Sequence, residues 1–187
     1  LQGKRPVWIH AASVGEVICS IPLFKKIKEE CPGIPILLTT MTQTGNNTAE
    51  KLIPEAEEIL FFPFDHPFVI RRAVRRIGPR LLLLAETELW PNLLRFCGEE
   101  NIPVSLFNGR ISQKSLKGYL LFKSLFRECL KSISLFLMQT EGDRSRIIEI
   151  GAPPDRTKVM GNLKFDQTFP PVTQEEKESM SRSLGLQ

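Results

Sequence analysis

Three carboxylates stand where this sequence can place chemistry. Glu16 lies in Ala11-Ala12-Ser13-Val14-Gly15-Glu16-Val17, between a short apolar run, Val7-Trp8-Ile9, and an apolar-periodic stretch from Val17 to Glu30. The run reads as a buried strand and the stretch as an amphipathic helix. A small-residue turn joining them is where an open α/β sheet binds ligands. The free N–H groups of the helix start face an incoming anion, and Glu16 sits in the first turn. The same residues also match a capping box, with Ser13 as N-cap and Glu16 reaching back to its N–H. Glu86 and Glu88 belong to Glu86-Thr87-Glu88-Leu89-Trp90-Pro91-Asn92, directly after Arg80-Leu81-Leu82-Leu83-Leu84-Ala85, the strongest central-strand signal in the chain. Two carboxylates at the end of a buried strand are costly unless paired or hydrogen-bonded, so a functional role is expected of them.

Other polar residues fall at comparable places. Thr39-Thr40-Met41-Thr42-Gln43-Thr44-Gly45 follows a buried strand expected over 34–38. Its hydroxyls suit sugar or phosphate oxygens, or a polar turn with an N-cap. Arg110, after Asn108-Gly109, is either a surface residue or a bidentate phosphate contact. His66, between Asp65 and Pro67, reads as a turn residue, because no second His is near. Arg71, Arg72, Arg75 and Arg76 share one broad face of a helix expected over 68–77, either solvated or turned to an acidic membrane.

These residues need a scaffold, and the chain supplies one. Strands are expected over 7–10, 34–38, 58–62, 80–85, 104–107, 135–138 and 158–160. Helices are expected over 17–30, 47–52, 68–77, 93–100, 113–130 and 141–150, with Gly or Pro stops. The long helix over 113–130 carries an apolar set too wide for one stripe. It is either packed on two sides or meets lipid as a basic interfacial helix. Strand–helix repetition of this kind gives an α/β fold: an open, mainly parallel Rossmann-like sheet with helices on both faces. Residues 1–170 form the domain; Pro170-Pro171 and a charged helical segment from Gln174 to Leu184 read as a linker toward a missing part.

Composition narrows the partners. The chain has 187 residues, 42% hydrophobic, with 25 Lys+Arg against 21 Asp+Glu for a net +4. That balance suits an anionic partner and is too weak to argue nucleic acid. One Tyr and two Trp offer little for base stacking. The four cysteines form no C-x-x-C pair, which argues against zinc. No apolar run approaches the ~20 residues needed to cross a bilayer, and no signal peptide is visible. Neither G-x-G-x-x-G after the first strand nor G-x-x-x-x-G-K-[ST] occurs, which disfavours dinucleotide dehydrogenases and P-loop phosphotransferases.

Taken together, Ser13-Val14-Gly15-Glu16, Thr39-Thr40-Met41-Thr42, Glu86-Thr87-Glu88-Leu89-Trp90-Pro91-Asn92 and Gly161-Asn162-Leu163-Lys164-Phe165-Asp166 resemble one family, in order, from about Val7 to the tail. It is the 3-deoxy-D-manno-octulosonic acid (Kdo) transferases of lipid A and lipopolysaccharide biosynthesis. The resemblance implies the N-terminal, acceptor-binding half of a two-domain, B-type glycosyltransferase. It implies a membrane-anchoring segment before this half and a donor-binding half after it. Carried over by residue, Glu16 is the general base, and Glu86 and Lys164 stabilise the transition state. The helix dipole is expected to keep Glu16 ionised. Ser13, Gly15, Thr40, Thr42, Glu88 and Arg110 are expected to bind the acceptor.

The expected reaction moves Kdo from CMP-Kdo to a lipid A precursor (lipid IVA), with inversion and without a metal or cofactor. The expected partners are that acceptor, CMP-Kdo through the missing half, and an anionic membrane surface, at the cytoplasmic face of the bacterial inner membrane. Nucleic acid is not an expected partner. Two competing readings stand beside it. One is another B-type glycosyltransferase or a sugar-nucleotide epimerase. The other is a non-catalytic anionic-lipid-binding module in which Glu16 is only a cap.

Overall fold

The computed structural model describes residues 3–166. Seven strands, β1 (Val7–His10), β2 (Ile36–Thr40), β3 (Glu58–Phe61), β4 (Leu81–Ala85), β5 (Val104–Gly109), β6 (Leu135–Met138) and β7 (Thr157–Val159), form one sheet in the order β3-β2-β1-β4-β5-β6-β7. Every pairing is parallel, a stricter outcome than the mainly parallel sheet expected. The helices are α1 (Val14–Glu30), α2 (Gln43–Leu52), α3 (Pro67–Ile77), α4 (Pro91–Glu99), α5 (Gln113–Leu121), α6 (Lys123–Lys131) and α7 (Glu141–Ile150), and a 3₁₀ turn spans Leu163–Asp166. The segment expected over 174–184 and the domain boundary at 170 lie outside the described residues.

The near-continuous apolar runs of β1, β2 and β4 are buried because both sheet faces are covered. On one face Trp8, Leu37, Leu82, Leu84, Leu106 and Phe136 meet Ile70 and Val74 of α3, Leu94 of α4, Leu130 of α6 and Ile147 of α7. On the other, Val7, Ile9, Leu38, Leu83, Ala85 and Phe107 meet Val17 and Phe24 of α1 and Ala49 of α2. The alternation of strand residues between the two clusters is the period-2 geometry of the pleat.

Strand order decides where a ligand can sit. The chain leaves β1 toward β2 and β3, returns to β4 on the opposite side of β1, and continues outward to β7. The turns after β1 and β4 therefore diverge, the switch point at which open α/β sheets bind their ligands. Glu16 follows β1, and Glu86 and Glu88 follow β4.

Several element bounds differ from expectation. Helix α1 begins at Val14 and α2 at Gln43, because Ser13 and Thr42 act as N-caps: their side chains accept the N–H of Glu16 and of Gly45. The expected 34–38 strand runs instead over Ile36–Thr40. The expected single helix over 113–130 is two helices broken at Phe122 (φ −117, ψ 36). The break lets Leu116, Cys129 and Leu130 reach the core while Leu121, Phe122 and Leu125 remain exposed. Strand β5 continues through Asn108 to Gly109, which was expected to form a turn. A Cβ on Gly109 would lie 2.5 Å from a Leu106 methyl and 2.6 Å from the Met138 sulfur, so a larger residue there would displace both side chains.

Candidate functional site

Glu16 is 7% exposed, low for a carboxylate. Its Oε2 accepts the Ala12 N–H at 2.9 Å and its Oε1 accepts the Ser13 hydroxyl at 2.8 Å. The expected box had Glu16 capping Ser13's own N–H. Here the carboxylate reaches one residue further back, which orients it at the mouth of the turn. Burial lifts its pKa to about 7, against the opposing Ser13 and Ala12 hydrogen bonds and with help from the Glu88 and Glu86 charges. The helix dipole was expected to keep Glu16 ionised. Burial instead raises the pKa, so Glu16 is poised between its two forms near neutral pH. A general base with a pKa near the working pH is well matched to proton transfer.

Glu86 ends β4 in a left-handed conformation, φ 53. For a residue other than Gly, Asn or Asp this backbone costs ~1–2 kcal/mol, and such strain concentrates at functional sites. Its N–H is fixed by the Phe107 carbonyl at 2.9 Å. The turn that follows places Glu88 half-buried, with its pKa raised by burial and by Glu86. The Trp90 indole acts in the opposite direction on Glu88, although its Nε1 does not reach hydrogen-bond geometry. Helix α4 has no side-chain cap of its own at Trp90. Asp65 caps it from the loop after β3: Oδ1 takes the Leu93 N–H at 3.1 Å and Oδ2 the Asn92 N–H at 3.2 Å. The Asn92 carboxamide also donates to the Asp65 carbonyl at 2.8 Å. Asp65 thus anchors the carboxylate-bearing loop. The Asp-His-Pro string gave it away only as a turn, because its partner lies 27 positions along the chain.

Lys164 is exposed on the Leu163–Asp166 turn, beside α1. The buried thiol of Cys19, one helical turn after Glu16, reports how these groups are gathered. Burial raises it to about 11, helped by the Glu86 and Glu16 charges and opposed by the Lys164 ammonium and the Asn108 carboxamide. Glu16, Glu86 and Lys164, far apart in sequence, therefore act on one point. Gly15 lies half-buried in the first turn of α1. Thr42 is exposed as the α2 N-cap, and Thr40 is fully buried at the end of β2. Arg110 is exposed; its N–H and carbonyl are bound to the Thr87 hydroxyl, which pins the end of β5 to the Glu86 loop.

A second line of observation marks the same edge. Among the described residues, the buried side-chain polar atoms without a hydrogen-bond partner are His10 Nε2, Thr40 Oγ1, Trp90 Nε1 and Asn108 Nδ2. Native interiors rarely leave such atoms unpaired. All four lie at or just beyond the carboxyl ends of β1, β2, β4 and β5. His10 is held neutral, its pKa lowered to about 4 by burial, and its ring packs on Phe62 at 4.3 Å and Trp90 at 6.3 Å. His10 and Asn108 carried no functional expectation from sequence, since a single buried His or Asn has no diagnostic spacing. A cleft of about 780 Å³ between α3 and the β3 edge is separate; Trp8, Leu60, Phe61 and Arg76 line it, and none of the candidate carboxylates does. Among the described residues no group of three His, Cys, Asp or Glu is placed to hold a metal.

Known proteins share this arrangement to different depths. The fold is shared with solved proteins that cover this chain almost completely. A UDP-GlcNAc 2-epimerase from Neisseria meningitidis, bound to UDP-GlcNAc, superposes with a TM-score of 0.64 at 13% identity, over 96% of this chain and 54% of its own. Anabaena HepE, in complex with UDP, superposes with a TM-score of 0.63 at 13% identity, over 96% of this chain and 50% of its own. The sequence is closer to transferases. It is 36% identical over 188 residues to a bifunctional glycosyltransferase/methyltransferase of Fusobacterium nucleatum, covering all of this chain and 29% of that protein. It is 34% identical to the 3-deoxy-D-manno-octulosonic acid transferase of Haemophilus influenzae, over 86% of this chain and 38% of that protein. It is 36% identical to the Bordetella pertussis transferase of the same name, over 88% of this chain and 39% of that protein. The chain thus spans 29–39% of the length of these relatives. Residues 1–167 match the family described as 3-deoxy-D-manno-octulosonic-acid transferase (kdotransferase), the family to which this chain belongs.

Proposed function

We propose that this chain is the acceptor-binding half of a B-type glycosyltransferase that moves Kdo from CMP-Kdo to a lipid A precursor, lipid IVA, in lipopolysaccharide biosynthesis. The observation that carries the reading is Glu16: a buried carboxylate held by two donors, with a pKa of about 7, at the switch point between β1 and β4. In the proposed step an acceptor hydroxyl gives its proton to Glu16 as its oxygen bonds to the anomeric carbon of Kdo. The bond from that carbon to the CMP phosphate breaks on the opposite face, inverting the centre. Glu86 and Lys164 stabilise charge in the transition state, directly or by positioning, and no metal is needed. Ser13, Gly15, Thr42, Glu88 and Arg110 surround the acceptor, with Thr40, fully buried, beneath them at the end of β2. CMP-Kdo is held mainly by the half of the protein beyond this chain. An open edge rather than a closed pocket is what one half of a two-domain site presents.

The test is an assay of the full-length protein with CMP-Kdo and a tetra-acylated lipid A precursor. Kdo transfer is the expected result; absence of transfer, with folded protein, would refute the assignment. Epimerase chemistry has only the shared fold in its favour, at 13% identity.

The acceptor is an amphiphile, so we also propose that this half works against an anionic membrane, at the cytoplasmic face of the inner membrane. No helix among the described residues is long and apolar enough to cross one. The α3 arginines and the α5–α6 junction lie on the same side of the sheet. The arginines do not form one free face, however. Arg75 pairs with Glu100 at 2.7 Å, and Arg71 lies over the Phe96 ring at 6.0 Å. Arg72 and Arg76 are exposed, and Leu121, Phe122 and Leu125 stand exposed among Lys117 and Lys123. Each basic residue near an anionic surface contributes ~1 kcal/mol, screened by salt. Vesicle binding by residues 1–187 is expected to rise with anionic lipid and fall with salt. Replacing all four arginines with Gln should weaken it more than replacing exposed charges elsewhere. Equal binding to neutral and anionic vesicles, or none, would make the patch an ordinary solvated surface.

A further inference from the structure

Asn108 occupies a position that joins three parts of the site, and no catalytic or binding role falls to it from the sequence motifs. It is 2% exposed and left-handed, φ 53. It directly follows Phe107, whose carbonyl fixes the Glu86 N–H at 2.9 Å. Its own carbonyl accepts from Gln139 Nε2 at 3.0 Å. Its carboxamide Oδ1 accepts the N–H of Leu163 at 3.2 Å, across 55 positions of sequence. Leu163 immediately precedes Lys164. The Lys164 N–H bonds to Asn162 Oδ1 at 3.0 Å and the Phe165 N–H to the Asn162 carbonyl at 3.1 Å, both internal to the turn. The Asn108 bond instead ties the turn to the sheet.

The residue type fits that duty narrowly. A left-handed backbone admits Gly, Asn or Asp with little strain. An acceptor for the Leu163 N–H excludes Gly. A carboxylate would add a fourth negative charge near Glu16, Glu86 and Glu88, which leaves Asn. The Nδ2 reaches no hydrogen-bond geometry, although the carboxamide draws the Cys19 thiol pKa downward.

We propose that Asn108 is a positioning residue that clamps the Lys164 turn onto the ends of β4 and β5, holding the Lys164 ammonium at the site edge that carries Glu16 and Glu86. The inference rests on the reading of Lys164 as a transition-state stabiliser. Small displacements of such groups cost up to about 10²-fold in rate.

The test is a double-mutant cycle in the full-length protein, with Kdo transfer as the readout. Asn108→Gly keeps the left-handed turn and removes the clamp. It should lower kcat by about 10- to 100-fold and change the acceptor KM by less than about threefold. Lys164→Ala should lower kcat by about 10²- to 10³-fold. The double variant should match Lys164→Ala alone within about threefold, since a clamp has no effect once the group it places is gone. Losses that multiply in the double variant would overturn the inference. If Lys164→Ala turns over like wild type, the Lys164 reading itself fails and the inference with it.

Discussion

Glu16→Gln in the full-length protein is expected to keep the fold and lower Kdo transfer by about 10²- to 10⁴-fold, the usual loss on removing a general base. The substitution isolates the proton. Gln has the same shape, can still accept the Ala12 N–H or the Ser13 hydroxyl, and completes a helix cap as well as Glu does. What it lacks is a lone pair basic enough to take a proton from an attacking hydroxyl. The pH profile supplies the second half of the test. Burial lifts the Glu16 pKa to about 7, so wild-type kcat/KM should climb as pH rises through that value and level off above it. The residual activity of Glu16→Gln should lack that inflection. Near wild-type turnover in the variant would leave Glu16 as a cap alone.

The same substitution is expected to stabilise the protein, and only on the alkaline side. The Glu16 pKa rises from 4.5 to about 7 on folding, chiefly through burial. Below 4.5 both states are protonated and the residue costs nothing. Between 4.5 and 7 the unfolded chain releases the proton while the folded one retains it, so stability falls as pH increases. Above 7 the penalty is complete, at roughly 3 kcal/mol for a gap of this size. Gln never carries the charge. The thermal midpoint of the Gln variant of residues 1–187 should therefore match wild type near pH 4 and exceed it increasingly up to about pH 7, then hold a constant lead. A lead of equal size at pH 4 and pH 8 would show that packing, not ionisation, separates the two. The exchange of stability for a reactive carboxylate is a common feature of catalytic sites.

Fold class and ligand edge were legible because they rest on local signals. Apolar runs of four to six residues, bounded by Gly and Pro and alternating with amphipathic stretches, imply a parallel sheet covered on both faces, and the structure has one. Motif spacing placed Ser13, Glu16, Glu86 and Glu88 at strand ends without any knowledge of their distances. The N-cap at Ser13 was readable for the same reason: its partner is three residues away. The break at Phe122 was not, because apolar periodicity passes through it and no Gly or Pro marks it.

Tertiary structure alone decided what depends on distant neighbours. The strand order put the ends of β1 and β4 side by side, which makes Glu16, Glu86 and Glu88 one electrostatic group. The place of Glu16 in the first turn of a helix pointed to a dipole holding it ionised; its burial, which no local pattern encodes, raises its pKa instead. The cap that Asp65 provides for α4 and the grip of Asn108 on Leu163 join residues 28 and 55 positions apart. Such contacts leave no periodicity in the chain. They appear only when folding brings the loops of separate strands to one edge of the sheet, where each buried polar group must find its partner among groups the sequence holds far away.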